Sequence, residues 1–170
     1  MTEITEKKGG RGESFVQHVL GRMEIDHGFG AALRRSDNPA TEYQSWEYLE
    51  RWVDLSDERQ RLPFIMVGAT LARAKPGHDG SAGLGKALAS CYDDGPVSDQ
   101  ARAKLRRVLA CETIEDLAVI LRPLLGLVAS KAKQPLSYSR LLQDLLGFGF
   151  DSQRIRIRWA QDFYGRWAEE

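Results

Sequence analysis

The stretch Thr113-Ile114-Glu115-Asp116-Leu117-Ala118-Val119-Ile120-Leu121-Arg122-Pro123-Leu124-Leu125-Gly126-Leu127-Val128 decides the fold class. Leu117, Ile120, Leu121, Leu124, Leu125 and Val128 recur at spacings of three and four, the stripe of a helix with one buried side. Thr113-x-x-Asp116 supplies the start signal. Pro123 lies inside the pattern and is expected to kink or divide the helix. The same period governs the flanking segments. Ser98 precedes a helix whose inward face is Ala101, Leu105, Val108 and Leu109. Ser137 precedes Tyr138–Leu146. Asp151 or Ser152 precedes a last helix with Ile155, Trp159, Phe163 and Trp167 at i, i+4 spacing.

Upstream, Phe15, Val16, Val19, Leu20 and Met23 predict a helix from Ser14 to Glu24, and His27–Gly30 reads as a break before one helical turn over Ala31–Arg35. Thr41-x-x-Gln44 has the form of a capping box, opening a helix with Trp46, Leu49 and Val53 on one face. Leu62–Ala74 is apolar nearly all round, as in a central buried helix, and Lys75–Gly80 is the clearest loop, mobile or a binding loop. Leu84–Ala89 follows as a short helix. No alternation of period two persists. The chain reads as all-α, a helical bundle of about eight helices in two packed halves. The Asp93-Asp94-Gly95-Pro96 breaker divides it into an N-terminal helical subdomain, 14–95, and a C-terminal one, 96–170, with a disordered tail over 1–13.

The 170 residues, 42% apolar and 28% charged, are enough for a buried core without disulfides. Two cysteines, Cys91 and Cys111, exclude a disulfide scaffold. The longest apolar runs fall short of the ~18 residues of a membrane span, and Met1–Gly12 has no apolar signal core. A cytoplasmic protein with no membrane partner is expected.

Enzyme chemistry finds little support. His18, His27 and His78 form no ligand pair, no Cys-x-x-Cys occurs, and no metal site or cofactor is expected. His18 is expected to be partly buried and hydrogen-bonded, Cys111 to be packed. Gly80 to Gly85-Lys86 matches phosphate-loop glycine spacing, but Ala87 replaces the magnesium-binding hydroxyl and no strand precedes it. Asp144 and Asp162 suit helix-surface or capping roles better than a catalytic pair. No catalytic residue is assigned.

Charge is more informative. Lys+Arg and Asp+Glu balance at 24 each, yet residues 1–95 carry 12 basic against 15 acidic side chains and residues 96–170 carry 12 against 9. Arg154 and Arg158 lie one turn apart on the last helix, opposite its apolar stripe, with Arg156 between them. Arg102 and Arg106, and Lys104 and Arg107, repeat the arrangement on the helix from Ser98 and are expected to point outward. Arg122 and Arg140 add to this half; Arg34 and Arg35 form an outlier in the acidic one. Guanidinium forks suit phosphate, and scattered clusters without a base-reading motif fit sequence-independent backbone contact. Trp46, Trp52, Trp159 and Trp167 read as core, so no exposed aromatics interleave with the basic residues as stacking platforms. The competing reading is of solvated, internally paired helix faces.

Gly83-Leu84-Gly85-Lys86-Ala87-Leu88-Ala89 resembles the LG[RK]ALA segment of the CasB family, the small subunit of the type I-E CRISPR Cascade complex. The similarity continues through Leu105–Leu109, Ile114–Leu117, Leu121–Leu125, Leu136–Leu145 and Arg158–Tyr164, covering the last 90 or so residues well and the first 80 loosely. This resemblance implies an all-α, non-catalytic protein. It also implies a place as a dimer among other Cascade subunits, supporting the hybrid of guide RNA and target DNA and contacting the displaced DNA strand. By position it implies nucleic-acid contacts for Arg34, Arg35, Lys86, Arg122, Arg154 and Arg156, with Arg59 and Arg61 near another basic family position. Pro123 stands where the family often has a second arginine. The alternative is a helical protein-interaction subunit with no direct nucleic-acid role.

Overall fold

The structure, a computed structural model, describes residues 10–165, so Trp167 and the stretch 1–9 of the expected tail lie outside the described residues. The chain is all-α. Its helices are α1 (Gly10–Met23), α2 (His27–Arg35), α3 (Trp46–Leu49), α4 (Glu58–Ala74), α5 (Leu84–Ser90), α6 (Asp99–Leu109), α7 (Ile114–Lys131), α8 (Tyr138–Phe148) and α9 (Ser152–Tyr164), with 3-10 turns at Glu42–Ser45 and Gly95–Val97. Among the described residues no helix is long and apolar enough to cross a membrane.

The helix starts follow side-chain capping. Ser98, Thr113, Ser137 and Asp151 each accept from the backbone N–H three residues on, satisfying a donor with no partner inside the helix. Asp26 does the same for α2, which therefore begins at His27 and runs through Gly28 and Gly30, where a break was expected. The cap outweighs the modest helix cost of two glycines. α1 is already helical at Gly10, the first described residue, four residues before the expected Ser14. Thr41 does not cap: its hydroxyl donates 2.7 Å to the Arg35 carbonyl, and a 3-10 turn over Glu42–Ser45 follows it in place of a helix start. Pro123 does not divide α7. Its missing N–H strips a partner from the carbonyl of Val119, and both residues face solvent, where water replaces that bond.

α4 is the central helix. Leu62 through Ala72 are buried without interruption, and α1, α2, α7 and α8 pack around it. Phe15, Phe29, Leu33, Phe64, Leu121, Leu142 and Trp159 belong to one continuous core cluster that draws on both sides of residue 95.

α5 is locked to α9 at backbone distance. A Cβ on Gly85 would overlap the Trp159 carbonyl oxygen and come 2.6 Å from Phe163 N. Asp162 Oδ2 accepts from Lys86 N–H at 2.8 Å, capping α5 from another helix. The segment before α5 is fixed as well. Asp79 accepts from Tyr138 N–H at 2.6 Å and from the Ser139 hydroxyl, Gly80 N–H donates to the Leu136 carbonyl, and Ala82 bridges to Leu136. The loop expected to be mobile or to bind a ligand is thus a clasp on the start of α8.

Below α9, the carboxylate of Asp144 accepts from Arg158 Nη1 at 2.7 Å and from Trp159 Nε1 at 2.9 Å. Asp144 is buried, not on the helix surface as expected, because Trp159 carries a donor into the core that needs an acceptor. Burial raises its carboxyl above the usual range, although Trp159 and Arg158 pull the other way. His18 is half-buried as expected, between the rings of Phe29 and Trp52, but its Nε2 has no hydrogen-bond partner, and burial, with Arg51 and Arg22 nearby, lowers its pKa.

Three outcomes follow from this packing. Gly85→Ala is expected to destabilise the chain by about 3 kcal/mol in urea melts, because two backbones must separate. Gly21→Ala, which meets nothing within 4 Å on α1, is expected to stabilise it by up to about 1 kcal/mol. For Asp144, the native state holds its proton more tightly than the unfolded chain. Its contribution to stability is therefore favourable at low pH and is lost as pH rises from the unfolded value, about 3.9, through the raised native one. In urea melts across this window the parent is expected to gain on Asp144→Asn as pH falls; parallel curves would contradict it.

Candidate nucleic-acid interface

Most of the basic residues singled out by sequence divide by what their guanidinium or ammonium groups touch. One set is turned back onto the chain. Arg102 Nε donates 2.9 Å to the Pro96 carbonyl, so it does not point straight out with its neighbours. Arg140 Nη1 donates 3.2 Å to the Ser81 carbonyl, and Arg156 Nη1 donates 2.9 Å to the Leu109 carbonyl, capping the end of α6. Arg158 serves Asp144. Arg61 Nε lies 3.3 Å from Glu42 Oε2, off the hydrogen-bond axis, and Arg61 Nη1 donates to the Leu55 carbonyl. Arg35 Nη1 donates 3.3 Å to Gln44 Oε1 but stays exposed. Lys86 is half-buried beside Asp162, and its amide is already taken by that carboxylate. The glycine spacing from Gly80 to Gly85 thus serves the clasp on α8 and the contact with α9.

The other set faces water. Arg34, Arg59, Arg106, Arg107 and Arg154 are exposed, and their side chains have no hydrogen-bond or ion-pair partner among the described residues. α6 positions two of them. Its buried stripe of Ala101, Leu105 and Val108 turns Arg106 and Arg107 outward in its last turn. α9 positions Arg154 in its first turn, with Ile155, Trp159 and Phe163 holding the opposite face inside. The Arg156–Leu109 bond ties the end of α6 to the start of α9, which brings these two basic faces onto neighbouring elements. Arg34 lies apart, at the end of α2. Arg59 is placed elsewhere again, its Cδ facing Gly149 after α8.

Two features escape the sequence pattern. Tyr43 is 59% exposed and Trp46 39% exposed, next to Gln44 and its Arg35 contact. Trp46 therefore does not belong to the core. The short 3-10 turn rotates it off the face shared by Leu49 and Val53, and its Nε1 donates 2.9 Å to Glu42. Aromatic surface does accompany part of the basic set. The second feature is Arg73, in the last turn of α4, which shares a cleft with Arg122. Only its place at the polar end of an otherwise apolar helix could have marked it. Among the described residues no group of His, Cys, Asp or Glu could hold a metal ion.

Comparison with known proteins places this geometry. The family model described as CRISPR-associated protein Cse2 matches residues 30–164. The crystal structure of CasB from Thermus thermophilus superposes with a TM-score of 0.71 at 23% identity, covering 91% of this chain and 97% of that one. CasB from M. ruber gives a TM-score of 0.71 at 23% identity, over 91% of this chain and 92% of that one. A chain of a CRISPR RNA-guided surveillance complex gives 0.72 at 20% identity, over 92% and 91%. No curated protein matches. The match over residues 30–164 spans the bundle from α2 to α9, and on it the chain belongs to the CRISPR-associated Cse2 family.

Proposed function

We propose that this chain is a cytoplasmic, non-catalytic small subunit of an RNA-guided type I-E Cascade complex. Its basic residues stabilise the hybrid of guide RNA and target DNA, and the displaced DNA strand, by sequence-independent contacts, and two copies associate within the complex. Family membership and the likeness to a chain of an RNA-guided surveillance complex support the assignment to a multi-subunit assembly. The observation that carries the nucleic-acid role is the set of exposed guanidinium groups, Arg34, Arg106, Arg107 and Arg154, that pair with no acid among the described residues. Backbone phosphate is the ligand that such dispersed, planar donors fit, and base pairing elsewhere supplies the sequence information.

A second reading has its own observation. Between α6 and α7 lies a groove of about 530 Å³ with Ile120, Pro123, Leu124 and Leu127 on its floor and Lys104 and Arg107 at its edge. Such a groove fits an acidic, apolar protein segment, and it supports an interaction subunit with no direct nucleic-acid role.

Substituting Arg106, Arg107 and Arg154 together by Gln separates the two. On the first reading, DNA retention measured against salt loses about one unit of slope in log K against log[salt] for each phosphate contact removed, with the melting temperature unchanged. Recovery of the tagged chain from cells should yield other Cascade subunits and a uniform short RNA. Unchanged DNA retention in the triple variant, with protein partners that survive nuclease, would favour the interaction subunit.

A further inference from the structure

The cleft between the end of α4 and the middle of α7 holds two arginines. It encloses about 300 Å³ over a floor of small residues, Thr70, Ala74, Gly126 and Ala129, with Arg73 on one wall and Arg122 on the other. Arg122 is half-buried. Its Nε is shut off from solvent and has no hydrogen-bond partner, although guanidinium nitrogens in such places are nearly always bonded. Arg73 is held by Asp37, which fixes its direction while leaving other donors of its fork. Two positive charges thus line the cleft, and Asp37 outside its lining offsets one of them, leaving a surplus of one. The two guanidinium groups also act on each other: burial, and then the charge of Arg122, lowers the pKa of Arg73. Like charges gathered around empty space, with a buried donor unsatisfied, cost stability in the isolated chain. A bound anion relieves the repulsion between the two guanidinium groups.

We propose that this cleft seats a single backbone phosphate of bound nucleic acid, gripped from two sides by Arg73 and Arg122. The proposal rests on the nucleic-acid reading above and adds a defined subsite to it. A phosphodiester carries one negative charge, which matches the surplus. Its two anionic oxygens, set on a tetrahedral phosphorus, can accept from two guanidinium forks that approach from different sides. The small residues of the floor leave room for the group between the arginines.

The test is a double-mutant cycle on the full chain, with Arg73→Gln and Arg122→Gln singly and together. A labelled 40-nucleotide DNA, single-stranded and duplex, is titrated at several salt concentrations. Each single variant is expected to bind about tenfold more weakly, and the double variant little more weakly than either, with a total loss of about one unit in the salt slope. Without ligand, Arg122→Gln should melt no lower than the parent, because a repulsion has been removed. Inorganic phosphate, compared with chloride at equal ionic strength, should raise the melting temperature of the parent and not of Arg122→Gln.

Effects that multiply, with a slope loss of two, would assign the arginines to separate phosphates and overturn the shared seat. A phosphate-dependent shift without any change in DNA affinity would make the site one for free phosphate, overturning the backbone assignment. Capture of a glutamate-rich peptide through Arg122, with DNA affinity unchanged, would assign the cleft to a protein carboxylate and overturn it likewise. If the Arg106, Arg107 and Arg154 triple variant loses DNA while the cycle variants do not, the general reading stands and this seat falls. If the parent binds no DNA even at low salt, both fall.

Discussion

The bundle depends on the approach of α5 to α9. Two helices normally keep 8–10 Å between their axes because side chains intervene. Here Gly85 removes the side chain, and the backbone of Trp159 and Phe163 occupies the space. Asp162 completes the contact by taking the Lys86 amide, which a seven-residue helix could not satisfy from within. Once α9 is fixed there, Trp159 enters the core and brings Asp144 and Arg158 with it, and Arg156 reaches the end of α6. Much of the polar chemistry of the C-terminal half is arranged by one glycine and one aspartate.

That arrangement also sorts the arginines. Those whose backbone positions bring them within reach of an open carbonyl or carboxylate become staples: Arg102, Arg140, Arg156 and Arg158. Those beyond such reach remain charged surface. A polyanion meets only the second set without first breaking an internal bond. The cleft of Arg73 and Arg122 belongs to neither class, being partly enclosed yet incompletely paired, and it gathers like charge between α4 and α7.

Much of this was legible in the sequence. The starts of α6, α7, α8 and α9 stood out because Ser98, Thr113, Ser137 and Asp151 precede clear 3.6-residue periods, so local signal and tertiary demand agree there. Arg106, Arg107 and Arg154 were legible as outward-facing for the same reason. The misreadings have two causes, a local hydrogen bond that redirects the chain and a partner distant in sequence. Thr41 was drawn to the Arg35 carbonyl rather than to its own turn, and Asp79 holds a helix that begins 59 residues later. Arg140 and Arg156 read as free because the carbonyls they bond belong to other elements. The neighbourhood of Arg73 and Arg122 exists only once α4 and α7 pack together, and nothing local at either position announces it.

The separation of the α5 and α9 contact along the chain also bears on synthesis. The Lys86–Asp162 bond spans 76 residues, so α5 must be made and left waiting while α6, α7 and α8 emerge. During that interval its buried face, Leu84, Ala87 and Leu88, has no cover from α9. Long-range closure is slow relative to local helix formation, and uncovered apolar surface favours association with other chains. The nascent protein therefore passes through a stage in which most of its helices can form while its central seam is still open, and chaperone capture or premature self-association would act at this stage.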